Sequence, residues 1–208
     1  LPDEDKQAVA KEIKDKIETL DLPETIYFGG LPMMMNDIND LIVSDIVWLI
    51  PIVFFVIAII LLLSFKSFRG VLLPLLTAGL AVIWTMGLMA VTGYELTIIS
   101  NIIPVVLLTV GSAYTIHVLN SINQNKLADR KQALVQALGY ILVPVILAAV
   151  TTAIGFISFV FGAYLTMIKD FGIFTAVGTL IALILSLFFV PALISGLSMY
   201  GKKTAIEN

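Results

Sequence analysis

The segment PVVLLTVGSAYTIHVLN, residues 104–120, decides how the rest of the chain is interpreted. It is apolar and long enough to lie mostly inside a bilayer, but its second half is polar at Ser112, Tyr114, His117 and Asn120. At roughly 100° per residue, one side of such a helix holds Ala113, Tyr114, His117, Asn120 and Ser121. Ser112 points away from that side. Because polar groups in a membrane are costly without partners, we expect this side to face inward, toward another helix or a hydrated cavity.

The composition is that of a membrane protein. Of the 208 residues, 59% are hydrophobic and 13% are charged, and the mean hydropathy is +1.03, which exceeds what a soluble domain hides in one core. Apolar runs of about 20 residues recur, each enough to cross a hydrocarbon layer of about 30 Å. The predicted fold is an all-α polytopic membrane bundle with five transmembrane helices. Within residues 45–199 these spans cover 45–65, 70–91, 97–119, 137–162 and 171–197.

Residues 1–44 differ from the bundle in charge and in pattern. The first 45 residues carry 11 acidic residues and 4 lysines, whereas the remainder carries 4 acidic and 8 basic residues. Val9, Ile13 and Ile17 recur at helical spacing and predict an amphipathic helix, and residues 25–28 predict one strand. A segment of this size buries little core, so we interpret it as the α+β end of a larger extracytoplasmic domain. No signal peptide is visible in these residues, and we expect the chain to be a piece of a longer protein whose targeting segment lies upstream.

Basic residues predict the orientation. Those that flank the spans on one side of the membrane are Lys66, Arg69, Lys126, Arg130, Lys131, Lys202 and Lys203. By the positive-inside rule that side is cytoplasmic, so the tail at residues 200–208 is cytoplasmic and the N-terminal segment lies outside. A short helix near residues 129–137 is expected at the cytoplasmic interface. The predicted location is a bacterial-type inner membrane.

Several classes of function are disfavoured by the residues present. The chain has no cysteine and one histidine, which is not a ligand set for a transition metal. It has no phosphate-binding glycine loop, carboxylate pair or serine with a nearby base, so no enzyme or cofactor is predicted. The acidic N-terminal segment argues against nucleic-acid binding.

A set of short motifs, in order along the chain, resembles a known family. They are GGLPMMMNDINDLIVSDI, FRGVLLPLLTAGLAVIWTMGLMAVTG, VGSAYTIHVLN, TTAIGF, FGIFTAVGTL and VPALI. The chain resembles helices two to six of one repeat of the resistance-nodulation-division superfamily, in its hydrophobe exporter and MMPL-like branch. The resemblance implies a porter-type domain at residues 1–44, a second transmembrane repeat as partner, and export of hydrophobic or amphiphilic substrates driven by the proton motive force.

One position departs from the family pattern. Many proton-driven members carry an aspartate just before the tyrosine of the fourth helix, where this chain has Ala113. The acidic residues Asp45, Glu95 and Asp170 lie at the ends of predicted spans. The resemblance therefore implies that the other repeat supplies the acid, that His117 replaces it, or that coupling differs.

Tyr114 and His117 are the candidates for proton coupling. By resemblance, Tyr114 pairs with an acid of the other repeat; otherwise its ring packs and its hydroxyl bonds to a neighbouring helix. His117 can act as a relay, or it can reach interfacial water or a backbone carbonyl. The remaining candidates have packing or hydrogen-bonding roles and are Ser112, Ala113, Asn120, Thr151 and Thr152.

Two main hypotheses follow for the whole protein, beside the simpler one that this part only anchors the porter-type domain in the membrane. The first is a proton-driven exporter of lipids or other hydrophobic compounds. The second is a lipid-binding regulatory bundle similar to sterol-sensing domains, without transport. A carboxylate inside the membrane in the second repeat favours the exporter. Membrane lipids are expected partners of either, and assembly into a homo-oligomer is an open alternative.

Overall fold

The computed structural model describes residues 3–20, 26–124 and 130–196, and almost all of them are helical. The elements are α1 (Asp3–Glu18), α2 (Leu31–Phe65), α3 (Phe68–Val91), a 3₁₀ turn (Ser100–Ile102), α4 (Ile103–Gln124), α5 (Arg130–Gly162), α6 (Thr166–Ile184), a π-helical turn (Leu185–Phe189) and α7 (Val190–Gly196). The prediction of an all-α bundle is confirmed.

Five stretches of helix are long and apolar enough to cross a membrane, as predicted. They are Leu31–Phe65, Gly70–Val91, Ser100–Gln124, Leu134–Gly162 and Thr166–Ser195. The last is built from α6, the π-helical turn and α7 without a break in the helix. The residues predicted as a separate interfacial helix, 130–137, are the first turns of α5 instead, and residue 129 lies outside the described part.

The predicted strand at residues 25–28 is wrong where the structure describes it. Residues 26–28 have no regular secondary structure, and the chain enters α2 after Gly30. A strand needs a partner for its backbone hydrogen bonds, and the described residues contain no second strand. Within residues 3–20 and 26–44, the α+β character expected of residues 1–44 is therefore not found.

The chain divides into two compact units, residues 1–48 and 49–208. In the first unit α1 is linked to the beginning of α2 by an ion pair in which Lys14 Nζ donates to Asp37 Oδ1 over 3.0 Å. This hydrogen bond and the Asp37 charge raise the pKa of Lys14 above its ordinary value of 10.5. Any stability that the pair contributes is present below pH 10.5 and is lost as the pH rises through the higher folded value.

Asp37→Asn is accordingly expected to lower the pKa of Lys14, because it removes the negative charge of the hydrogen-bond acceptor, which attracts the ammonium group. The pH dependence of amine labelling at Lys14, measured by mass spectrometry, checks this. Glu18→Gln is the matched control, since Glu18 acts on Lys14 through its charge alone and more weakly than Asp37 does. A larger effect from Glu18→Gln than from Asp37→Asn would contradict the assignment.

In the second unit the core lies where α3, α4 and α6 meet. Small residues allow their backbones to approach closely: a methyl group on Gly111 would lie 3.3 Å from the side chains of both Ala78 and Ala182. Close contact between small residues is the usual basis of helix packing in membranes, where apolar burial drives little association. Because α5 also packs against α4 and α6, α4 is surrounded on three sides.

Candidate functional site

The helix predicted to carry function, α4, is held centrally in its unit. It contacts α3, α5, α6 and the π-helical turn, and α4 and the last span are the most buried of the five. The 3₁₀ turn before α4 begins with a reciprocal pair: the Thr97 N–H donates to Ser100 Oγ over 2.6 Å, and the Ser100 N–H donates to Thr97 Oγ1 over 3.1 Å. Such pairs satisfy backbone donors at a helix start, so the segment that leads into α4 is ordered locally.

The structure separates the polar residues of α4 into two sets. Ser112, Tyr114 and Thr115 are buried, whereas His117 and Asn120 are exposed on this chain's surface. Ala113 lies between, half-buried. Within this chain the buried side of α4 is therefore that of Ser112 and Thr115, and the side predicted to face inward is buried only at Tyr114.

Tyr114 has an unusual hydroxyl. The side chain is 5% exposed, and its hydroxyl has no hydrogen-bond partner among the described residues. Thr152 of α5 is close enough to influence it, but the two hydroxyls do not meet in hydrogen-bond geometry. Thr152 itself donates to the Ala148 carbonyl over 2.8 Å, so its oxygen can still accept. A buried hydroxyl without a partner is costly, which makes Tyr114 an unusual group in the described part of the bundle.

The remaining predicted candidates bond within their own helices. Ser112 donates to the Thr109 carbonyl over 2.9 Å rather than to a neighbouring helix. Thr151 donates to the carbonyls of Leu147 and Ala148 at 2.9 Å each, and its side chain points to the exposed surface. These hydroxyls are satisfied locally and need no ligand.

Sequence reasoning missed a hydrogen bond between α4 and the last span. The Thr115 and Ser186 hydroxyls lie 2.9 Å apart, both completely buried, and join α4 to the π-helical turn. Thr175, Thr179 and Ser186 recur at helical spacing in the last span, and this pattern was a signal that the span has a polar side. Thr175 and Thr179 are also buried, and neither hydroxyl has a partner in the described part of the chain.

A small cleft opens where α4 ends beside the first turns of α5. It has a volume of about 300 Å³ and is lined by Ser121, Gln124, Gln136, Ala137 and Tyr140. Ser121 donates to the Ala137 carbonyl over 2.9 Å and ties the two helices together there. This cleft does not include Tyr114, His117 or Asn120.

Metal ions in proteins are held by several ligand side chains that lie close together. Among residues 3–20, 26–124 and 130–196, no three His, Asp or Glu side chains come together. The polar groups described on the buried side of α4 are the uncharged hydroxyls of Ser112, Tyr114 and Thr115, which can donate and accept hydrogen bonds.

Comparison with known proteins decides what kind of bundle this is. The sequence model of the MMPL family matches residues 2–206. The chain belongs to the MMPL family. The match confirms the resemblance drawn from the short motifs, and together with the five apolar helices it indicates a multi-pass membrane protein.

One curated relative of this MMPL-family chain is the hopanoid transporter HpnN of Rhodopseudomonas palustris (strain TIE-1). The two are 34% identical over 128 residues, which are 62% of this chain and 15% of that transporter. The matched region is thus a small part of the relative's length.

Proposed function

We propose that this chain is part of a secondary active transporter that exports lipids or other hydrophobic compounds. The observation that carries the proposal is the MMPL match over nearly the whole chain, and the relative whose name states hopanoid transport supports it. Both favour transport over lipid sensing. We therefore assign the protein to the membrane transporters, without an enzymatic activity.

The proton motive force is the proposed energy source, with Tyr114 as the coupling residue of this repeat. Ala113 stands where many proton-driven members carry an acid, and of the alternatives we favour a carboxylate supplied by another part of the protein. The Tyr114 hydroxyl lacks a partner in the described residues and can donate to such a carboxylate. A hydrogen bond to a charged acceptor is stronger than one to a neutral acceptor, so protonation of the acid weakens this bond.

The second transmembrane repeat is the proposed source of that acid. His117 and Asn120 are polar and exposed on this chain, although polar groups in a membrane require partners. A repeat that covers their side of α4 would bury both and bring its carboxylate next to α4. Because the Tyr114 hydroxyl is buried beside α5, α4 and α5 must separate there for the two groups to bond. His117 would then either relay protons or bond to the partner helix. We place residues 1–44 outside an inner membrane and the C-terminal tail in the cytoplasm, and assembly into homo-oligomers is compatible with this arrangement.

The test is gradient-driven movement of a fluorescent lipophile in inverted membrane vesicles that contain the full-length protein. Transport is expected when a pH gradient is imposed, and it is expected to stop when a protonophore collapses that gradient. Empty vesicles measure passive leakage. If transport persists after the gradient is collapsed, proton coupling is wrong; if a range of lipophiles shows no movement at all, the transporter proposal fails.

Thr152 and Thr151 provide a paired prediction within this proposal. Thr152→Val removes the polar neighbour of the Tyr114 hydroxyl, and because the Thr152 oxygen can accept a hydrogen bond when the phenol turns toward it, we expect transport to fall about 2- to 10-fold, the effect of one such bond formed during transport. Thr151→Val makes the same change one residue away, where the side chain is exposed and acts only on its own helix, and should leave the rate unchanged. Equal losses in the two variants, measured in the vesicle assay at matched protein levels, would argue against a role for Thr152.

A further inference from the structure

The last span departs from α-helical geometry at Leu185–Phe189, a five-residue π-helical turn. Here the Val190 N–H donates to the Leu185 carbonyl, five residues back rather than four. The sequence supplies a cause in Pro191, which has no N–H for the Leu187 carbonyl and whose ring would clash with it in a regular helix. A wider turn before the proline relieves this clash. Single π-helical turns are rare and occur frequently at functional sites.

Ser186 lies inside this turn and bonds differently from most other helix hydroxyls. Thr77 and Thr85 of α3 each donate to a carbonyl of their own helix over 2.7 Å. The Ser186 hydroxyl instead meets Thr115 of α4 at 2.9 Å. Both residues are 0% exposed, so water cannot replace the bond if it is broken. This contact is therefore a specific link between the irregular turn and α4.

We infer that Thr115 and Ser186 are positioning residues for Tyr114, an inference that rests on the proposed function. Thr115 directly follows Tyr114 in α4, and the two side chains point about 100° apart on the helix. Holding Thr115 against the π-helical turn fixes the rotation of α4 about its axis, which directs the Tyr114 phenol toward Thr152 and α5. A change in the π-helical turn would rotate or release Ser186 and so redirect the phenol.

The unpartnered Thr179 makes the inference testable against ordinary packing. It is fully buried in the same span as Ser186, but its hydroxyl bonds to nothing in the described part of the chain. If buried hydroxyls here only fill space, replacing any of them with an apolar residue of similar shape should have the same effect. If the Thr115–Ser186 bond positions α4, only the bonded pair should matter.

The experiment uses full-length protein in vesicles with Thr115→Val, Ser186→Ala, both together, Thr115→Ser and Thr179→Val. We expect Thr115→Val and Ser186→Ala each to lower the maximal transport rate about 2- to 10-fold, with unchanged KM for the lipophile and a shifted pH profile. The double variant should be no slower than the slower single variant, because both changes remove the same bond. Thr115→Ser keeps the hydroxyl and should restore the rate, and Thr179→Val should match wild type.

The inference is overturned if Thr115→Val and Ser186→Ala transport like wild type, if their losses add, or if Thr179→Val causes an equal loss. Oxidative cross-linking of Thr115→Cys with Ser186→Cys in a cysteine-free full-length protein reports the contact without transport, and this chain contributes no cysteine of its own. The failures are distinguishable. If Tyr114→Phe is inactive while Thr115→Val is normal, only the positioning inference is wrong. If Tyr114→Phe itself transports normally, the proposed coupling site is wrong.

Discussion

Tyr114→Phe is expected to lower gradient-driven transport about 10- to 100-fold without loss of folded protein. The substitution removes a single oxygen from a side chain that is 5% exposed. That oxygen makes no hydrogen bond within the described residues, so its removal should cost this bundle no stability. The size of the loss follows from a hydrogen bond to a charged acceptor, about 1.5–3 kcal/mol. Initial rates in inverted vesicles, normalised to the amount of protein in the membrane, measure it.

Ser112→Ala is the control for Tyr114→Phe. Ser112 lies on the same helix, is buried to a similar degree, and also loses one hydroxyl oxygen in the variant. Its hydroxyl, however, is already satisfied by the Thr109 carbonyl, so we expect a nearly normal rate. A comparable loss in both variants would mean that transport responds to any polar deletion in α4. In that case Tyr114 would have no special place in coupling.

The number and approximate positions of the spans could be predicted from the sequence because they depend on local composition. A run of about 20 apolar residues has one stable conformation in a bilayer, a helix with all backbone groups paired internally. The residues at which the helices begin and end were less predictable. The residues before Ala137 are polar enough to lie at an interface, yet they continue the same helix from Arg130, since nothing in that stretch interrupts it.

Which side of α4 is buried could not be predicted from the sequence, for a physical reason. Helical spacing groups His117 with Tyr114, but burial depends on where neighbouring helices pack. Gly111 contacts Ala78 and Ala182 closely, and this three-helix contact turns the side of Thr115 inward and leaves His117 exposed. The Thr115–Ser186 bond joins residues 71 positions apart, and Ser186 lies in a π-helical turn. No local sequence pattern predicts such a pair.

Gly172→Ala is expected to have the largest effect on stability. A methyl group at this position of α6 would lie 2.5 Å from the carbonyl oxygen of Phe156 and 3.0 Å from the Cβ of Phe159, both on α5. A backbone oxygen cannot rotate away, so the two helices must separate. Their separation would disturb the rings of Phe156 and Phe171, which meet edge to face with centroids 5.8 Å apart. We expect a destabilisation of about 1–3 kcal/mol or more.

The same substitution at two other glycines should give a graded series in the melting temperature of the purified full-length protein. At Gly178 the closest atoms are the methyl groups of Leu107, at 2.6 and 2.8 Å, and the Thr85 hydroxyl at 2.7 Å. Because these are side-chain ends that can rotate, Gly178→Ala should cost less than Gly172→Ala. At Gly87 no described atom lies within 4 Å of the added methyl group, and Ala is favoured over Gly in a helix by about 0.5–1 kcal/mol, so Gly87→Ala should be neutral or slightly stabilising. A melting temperature for Gly172→Ala equal to that of Gly87→Ala would mean that α5 and α6 do not make this close backbone contact.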